Sequence, residues 1–232
     1  SSGGWEPGGI CGYYDYEQIH DDLAMHAAMV YDFAFDYLSR HPHAHLKEIG
    51  KDTKSVAVEV FKRFIDIGLV RGGKSGNWNV NGWNMMLRPV LVLDSDEAYP
   101  DGKGKEYYLN LLVNESTPYH DAIPDMLKTY VPVSGLWPES PGYSFGTIQM
   151  LLDWAAPLKR AGIDIIAGNP ILQKAAMAVF PWMDDAANMV VFGDSRGGSA
   201  NFQTFENLLA YYAGITDKAG MEKVASALNK GI

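Results

Sequence analysis

Cysteine is nearly absent. Cys11 is the only one in 232 residues, which excludes an intrachain disulfide and any multi-cysteine metal site. No apolar run approaches the ~20 uninterrupted residues that span a bilayer, so no membrane span is expected. Basic residues are scarce as well: 19 Lys and Arg against 28 Asp and Glu leave a net charge of −9. Nucleic-acid binding wants a basic face to neutralise phosphates, so that partner class is set aside. A polyanion would have to find a local basic cleft on an acidic surface. Signatures of common chemistry are also missing. No Gly-x-Ser-x-Gly elbow supports a serine hydrolase, and "FGDSRGG" (Phe192–Gly198) lacks the Gly-Lys-Ser/Thr ending of a phosphate loop. No solenoid-type repeat is visible. The chain opens Ser-Ser-Gly-Gly with no charged-then-apolar leader, and it reads as an excised or mature segment.

What is present is helical patterning. A hydrophobic share of 47% and a charged share of 20% are ordinary for a globular protein, and one helical domain over residues 1–232 is expected. From Asp15 to about His41, apolar residues recur at Ile19, Leu23, Met29, Val30, Phe33, Tyr37 and Leu38. That spacing predicts a long helix with a buried stripe, ended by Pro42. A second helix runs through Val56, Phe61 and Ile65 to Gly68 or Gly72. "RGGKSGNWNVNG" (Arg71–Gly82) reads as a loop, after which a helix resumes with a kink at Pro89. Further helices are predicted at Glu106–Asn114, His120–Tyr130, Phe145–Lys159, Ile171–Phe180, Asn201–Ala213 and Asp217–Asn229. Asn201 and Asp217 are the caps of the last two. "NMVVF" (Asn188–Phe192) is a candidate short strand. The fold class is all-α, and a ring-like array of antiparallel helical hairpins fits this succession.

Two loops stand out. "GNWNVNGW" (Gly76–Trp83) and "WPESPGY" (Trp137–Tyr143) each precede an apolar helix and carry aromatic and polar groups that a simple turn does not need. Counting two helices between them, both loops are expected to open on one face, where helix dipoles favour an anion. Taken singly, Asn77, Asn79 and Asn81 are ordinary turn and cap residues, and Trp78 and Trp83 are ordinary packing residues. Asp32 reads as a buried, hydrogen-bonded anchor. The histidines of "HPHAHLK" (His41–Lys47) read as a solvated run, so no metal site is assigned.

Four segments in order carry a family resemblance: "AAMVYDFAFDYL" (Ala27–Leu38), "NWN" (Asn77–Asn79), "WPESPGYSFGTIQMLL" (Trp137–Leu152) and "FGDS" (Phe192–Ser195). The series resembles the heparinase II/III-like polysaccharide lyases, including alginate and heparan lyases. The resemblance spans roughly Asp15 to Tyr212. It implies an incomplete (α/α) toroid, a fragment of a larger bacterial protein normally followed by a β-sandwich domain, secreted or periplasmic. It implies cleavage of an acidic polysaccharide at a uronic acid by β-elimination: the C5 proton leaves, the bond to the C4 oxygen breaks, and an unsaturated sugar remains. No cofactor is implied in this chain, although relatives hold a metal in the β-sandwich region.

Residue types suit that chemistry. Side-chain amides that hydrogen-bond the uronate carboxylate spread the developing enolate charge, as an oxyanion hole does. Asn77 and Asn79 match the motif, with Asn81 beside them. Tyr143 matches the tyrosine that protonates the leaving oxygen and, in syn eliminations, also acts as base. A phenol of reference pKa ~10 suits the acid role directly. Trp78, Trp83, Glu139, Arg88, Lys74 and Arg196 are candidate sugar contacts, with Glu139 read chiefly as fixing its own loop. Two departures stand out: Ser140 replaces the usual glycine, and Trp78 stands where some relatives carry histidine. An (α/α) glycoside hydrolase with Glu139 as one of two carboxylates, and a non-catalytic sugar binder, are the rival readings.

Overall fold

The computed structural model describes residues 23–184, 186, 188–195, 197, 203–214 and 217–230. Among these the chain is all-α; there is no strand, only isolated bridges at Thr117–His120 and Met183–Met189. It divides into two compact units, Ser1–Met126 and Leu127–Ile232. No helix of the described residues is long and apolar enough to cross a membrane.

The first unit holds α1 (Leu23–Arg40), α2 (Ala44–Glu48), α3 (Thr53–Arg71), α4 (Gly76–Leu91), α5 (Lys105–Val113) and α6 (Ile123–Met126). Helix α3 starts where the sequence can cap it: Asp52 accepts the Ser55 N–H at 2.8 Å while Ser55 Oγ accepts the Asp52 N–H at 3.3 Å. Helix α4 is the centre of the unit and touches α1, α3 and α5. It buries Val80, Trp83, Met86, Leu87 and Val90, at about 2 kcal/mol of transfer free energy each. A buried hydroxyl joins α3 to α5, Tyr108 donating to Asp66 at 2.8 Å.

The sequence reading of Arg71–Gly82 as a loop is overturned from Gly76 onward. Asparagine and glycine are weak helix formers, but two tertiary anchors hold this stretch helical. The Asn79 amide closes a two-point bond with the Asp121 backbone, donating to its carbonyl at 2.9 Å and accepting its N–H at 3.0 Å. Trp83 donates its indole N–H to the Leu112 carbonyl at 2.9 Å. The chain enters α4 through Ser75, whose φ of 64° and ψ of 172° lie in a region that is essentially glycine's alone. Ser75→Gly is therefore expected to raise stability by about 1 kcal/mol, read as a higher urea midpoint; an unchanged or lower midpoint would contradict the strain.

Two other expectations change. The predicted stripe of α1 is not buried: Ala28 and Tyr31 face the core, whereas Leu23, Val30, Phe33 and Tyr37 are exposed. Spacing specifies that a face exists, but α1 meets α3 and α4 with another one. Asp32 is exposed rather than an anchor. The predicted helix His120–Tyr130 shrinks to α6 and a 3₁₀ turn, Leu127–Thr129. Its first residues are diverted, because the His120 carbonyl accepts the Thr117 N–H at 2.7 Å and the Asp121 N–H is taken by Asn79.

His120 itself is 1% exposed, and its Nε2 has no partner. Burial is the main force pushing its pKa down to about 4; Lys74 pushes the same way and a bond to the Leu112 backbone opposes both. The unfolded chain binds that proton near pH 6.5, so stability is full above that pH and falls as pH drops toward 4. The loss amounts to about 3 kcal/mol. Melting followed from pH 7 to 4.5 should show this slope, and His120→Leu should flatten it; an equal slope in both proteins would contradict the assignment.

The second unit contains α7 (Pro141–Arg160), α8 (Pro170–Ala178), α9 (Gln203–Gly214) and α10 (Lys218–Lys230). Helix α7 packs on α8 and α9, and α9 on α10. Phe205 stacks on Phe180 at 4.3 Å. Asn207 ties α9 to α7 by donating to Asp153 at 2.6 Å. Asp217 caps α10 as predicted, accepting the Gly220 N–H at 3.0 Å; Asn201 lies outside the described residues. "NMVVF" forms one bridge, not a strand.

Candidate functional site

The helical register of α4 rearranges the first set of candidates. Asn77, Asn81, Asn84 and Arg88 fall at i, i+4, i+7 and i+11, a single stripe along one face, and all four are half-buried. Asn84 reaches α1 with its amide 4.0 Å from the Met25 sulfur. Trp78, on the neighbouring face, is 46% exposed. Amide and guanidinium groups are the donor types from which a carboxylate accepts.

Asn79 and Trp83 are not on that stripe. Asn79 is 2% exposed, with both ends of its amide on the Asp121 backbone, and Trp83 is sealed in the core. Lys74 is engaged too, donating to the Thr117 carbonyl at 3.1 Å and pairing with Asp121 at 3.3 Å. Arg196 lies outside the described residues. Asn84 was not among the sequence candidates. Its signal was its spacing from Asn77, Asn81 and Arg88, invisible while residues 76–82 were read as a loop.

The first unit also has an open cavity of about 590 Å³ lined by Asp52, Lys54, Lys62, Asp94, Tyr99 and Asp101 among others. Its lysines are committed, Lys54 to Asp94 at 2.7 Å and Lys62 to Asp101 at 2.8 Å. It shares no lining residue with the α4 stripe. Among the described residues no group of three or more His, Cys, Asp or Glu could hold a metal. His45 instead approaches Glu48 at 3.4 Å, and His41 stacks on Tyr37 at 4.3 Å.

In the second unit "WPESPGY" is not an exposed entry loop ahead of a helix at Phe145. The helix begins at Pro141, where a missing N–H matters least, and Tyr143 stands on its first turn. Trp137 is 1% exposed and meets the edge of Tyr130 at 4.9 Å. Ser144, from inside α7, donates to the Trp137 carbonyl at 2.9 Å and leans toward that of Glu139 at 3.5 Å. The segment is thus bound down by its own helix, and Tyr143 is left 39% exposed. Glu139 is half-buried. From farther along the chain, Ser195 Oγ accepts the Gly142 N–H at 2.7 Å.

Tyr143 therefore belongs to the second unit, and Asn77, Asn81 and Arg88 to the first. No family model, no curated protein and no solved structure matches the chain.

Proposed function

We propose that the chain is the helical toroid part of a polysaccharide lyase of the heparinase II/III-like kind, a fragment of an exported bacterial enzyme that cleaves a uronic-acid-containing polysaccharide by β-elimination. The observation that carries the reading is the α4 stripe of Asn77, Asn81 and Arg88. Amides and a guanidinium suit a substrate carboxylate whose charge grows as the C5 proton leaves. Asn79 is assigned to the fold, because its amide is already spent on Asp121. Tyr143, exposed on the first turn of α7, is assigned both proton transfers of a syn elimination: its deprotonated oxygen takes the C5 proton, and the phenol so formed gives a proton to the C4 oxygen as that bond to carbon breaks. Trp78 offers an exposed ring for a sugar face.

A glycoside hydrolase needs two carboxylates about 5–10 Å apart across the scissile bond. Glu139 has no second acid in its own segment, which favours elimination over hydrolysis. The test offers alginate, heparan sulfate, chondroitin and acidic plant glycans to the protein and follows the ultraviolet absorbance of a new C4–C5 double bond. A gain in absorbance on at least one of them is expected. New reducing ends without absorbance would make the chain a hydrolase, and binding with neither would make it a sugar-binding relative.

A further inference from the structure

The first turn of α7 is capped from outside the helix. Ser140 occupies the N-cap position with extended backbone, φ −62° and ψ 161°, and it is a residue type that caps well. Its hydroxyl nevertheless makes no capping bond; the oxygen is buried and has no partner. Pro141 brings no N–H. The first N–H that α7 presents is that of Gly142, and Ser195 Oγ accepts it at 2.7 Å from 53 residues away.

The turn that delivers Ser195 is built for close approach. Gly193 has φ of 65°, and the Ser195 N–H reaches back to the Phe192 carbonyl at 3.4 Å. A Cβ on Gly193 would lie 3.4 Å from that of Ser140, and one on Gly142 would lie 3.2 Å from Ser195 Oγ. Gly142 thus gives the turn room to sit directly on the start of the helix, and Gly193 is required by its left-handed φ more than by that contact. Phe192 is braced by an edge contact with Trp182 at 5.7 Å, and the Val190 N–H bonds the Trp182 carbonyl at 2.7 Å.

We infer that Ser195 is a positioning residue for Tyr143: it fixes the residue immediately before the tyrosine and so sets where the phenol stands. This rests on the lyase reading for its consequence and on the Gly142 bond for its geometry. A phenol that must meet a leaving oxygen loses rate steeply with small displacements. The hydroxyl of Ser195 needs no contact with substrate to matter.

The experiment compares Ser195→Ala with Ser195→Thr, which keeps the acceptor, and with Asp217→Ala, which removes the cap of α10 and serves as a control of similar stability loss. On a cleaved polyuronide, Ser195→Ala is expected to lower kcat roughly tenfold or more with KM nearly unchanged. Ser195→Thr should recover most of that rate, and Asp217→Ala should keep it. Amide exchange at Gly142 and Tyr143 should quicken in Ser195→Ala alone. Equal rate losses in Ser195→Ala and Asp217→Ala would reduce Ser195 to a merely stabilising residue. Unchanged exchange at Gly142 would remove the clasp itself, and that arm is decisive even for a chain that cleaves no polyuronide, the outcome that defeats the lyase reading.

Discussion

Tyr143→Phe is expected to lower kcat on a cleavable polyuronide by about 10²–10⁴-fold, the usual worth of a positioned general acid or base. Only an oxygen is removed, and the ring it leaves is 39% exposed on the first turn of α7. Folding stability should therefore stay within about 0.5 kcal/mol of the parent. KM should hardly move, because the proton transfer is made in the transition state and not in the bound ground state. The rate of double-bond absorbance over a range of substrate concentrations, with a melting curve beside it, checks both halves. A variant that keeps most of its kcat would take Tyr143 out of the chemistry.

The second large effect falls on folding. Asn79→Ala should destabilise the protein by about 2–4 kcal/mol, because it strands a buried N–H and a buried carbonyl of Asp121 as well as removing their two bonds. The denaturant midpoint should drop with an unchanged slope. Asn77→Ala, two residues earlier and half-buried, should weaken turnover. An Asn79→Ala protein as stable as the parent would mean that the Asp121 pairing does not hold the start of α4.

These two asparagines mark what the sequence could and could not reveal. The 3.6-residue period located α3, α5 and α7 to α10 within a few residues, and the end of α1 likewise, because amphipathic faces are written locally; the predicted start of α1 at Asp15 lies outside the described residues. The start of α4 was not legible. Gly76, Asn77, Asn79 and Gly82 argue for a loop on propensity, and the partner that overrules them, Asp121, lies 42 residues away. The same distance hid the stripe, since Asn77, Asn81, Asn84 and Arg88 share a face only if residues 76–82 are helical. The burial of α1 was misjudged for a different reason: the period reports an apolar face, and the packing of α3 and α4 chose Ala28 and Tyr31 instead. Tyr143 could be singled out from its motif, but Pro141 moved it from a loop onto a helix. Ser195 carried no local sign of its bond to Gly142.

Elimination and hydrolysis differ by one water in the product, so the mass of the oligosaccharides released from a polyuronide tests the central claim most directly. Fragments one water lighter than hydrolysis products, made by the parent chain and lost with Tyr143→Phe, are the predicted result. Fragments carrying the full mass of an added water, or the same light fragments made as fast without the Tyr143 hydroxyl, would contradict it.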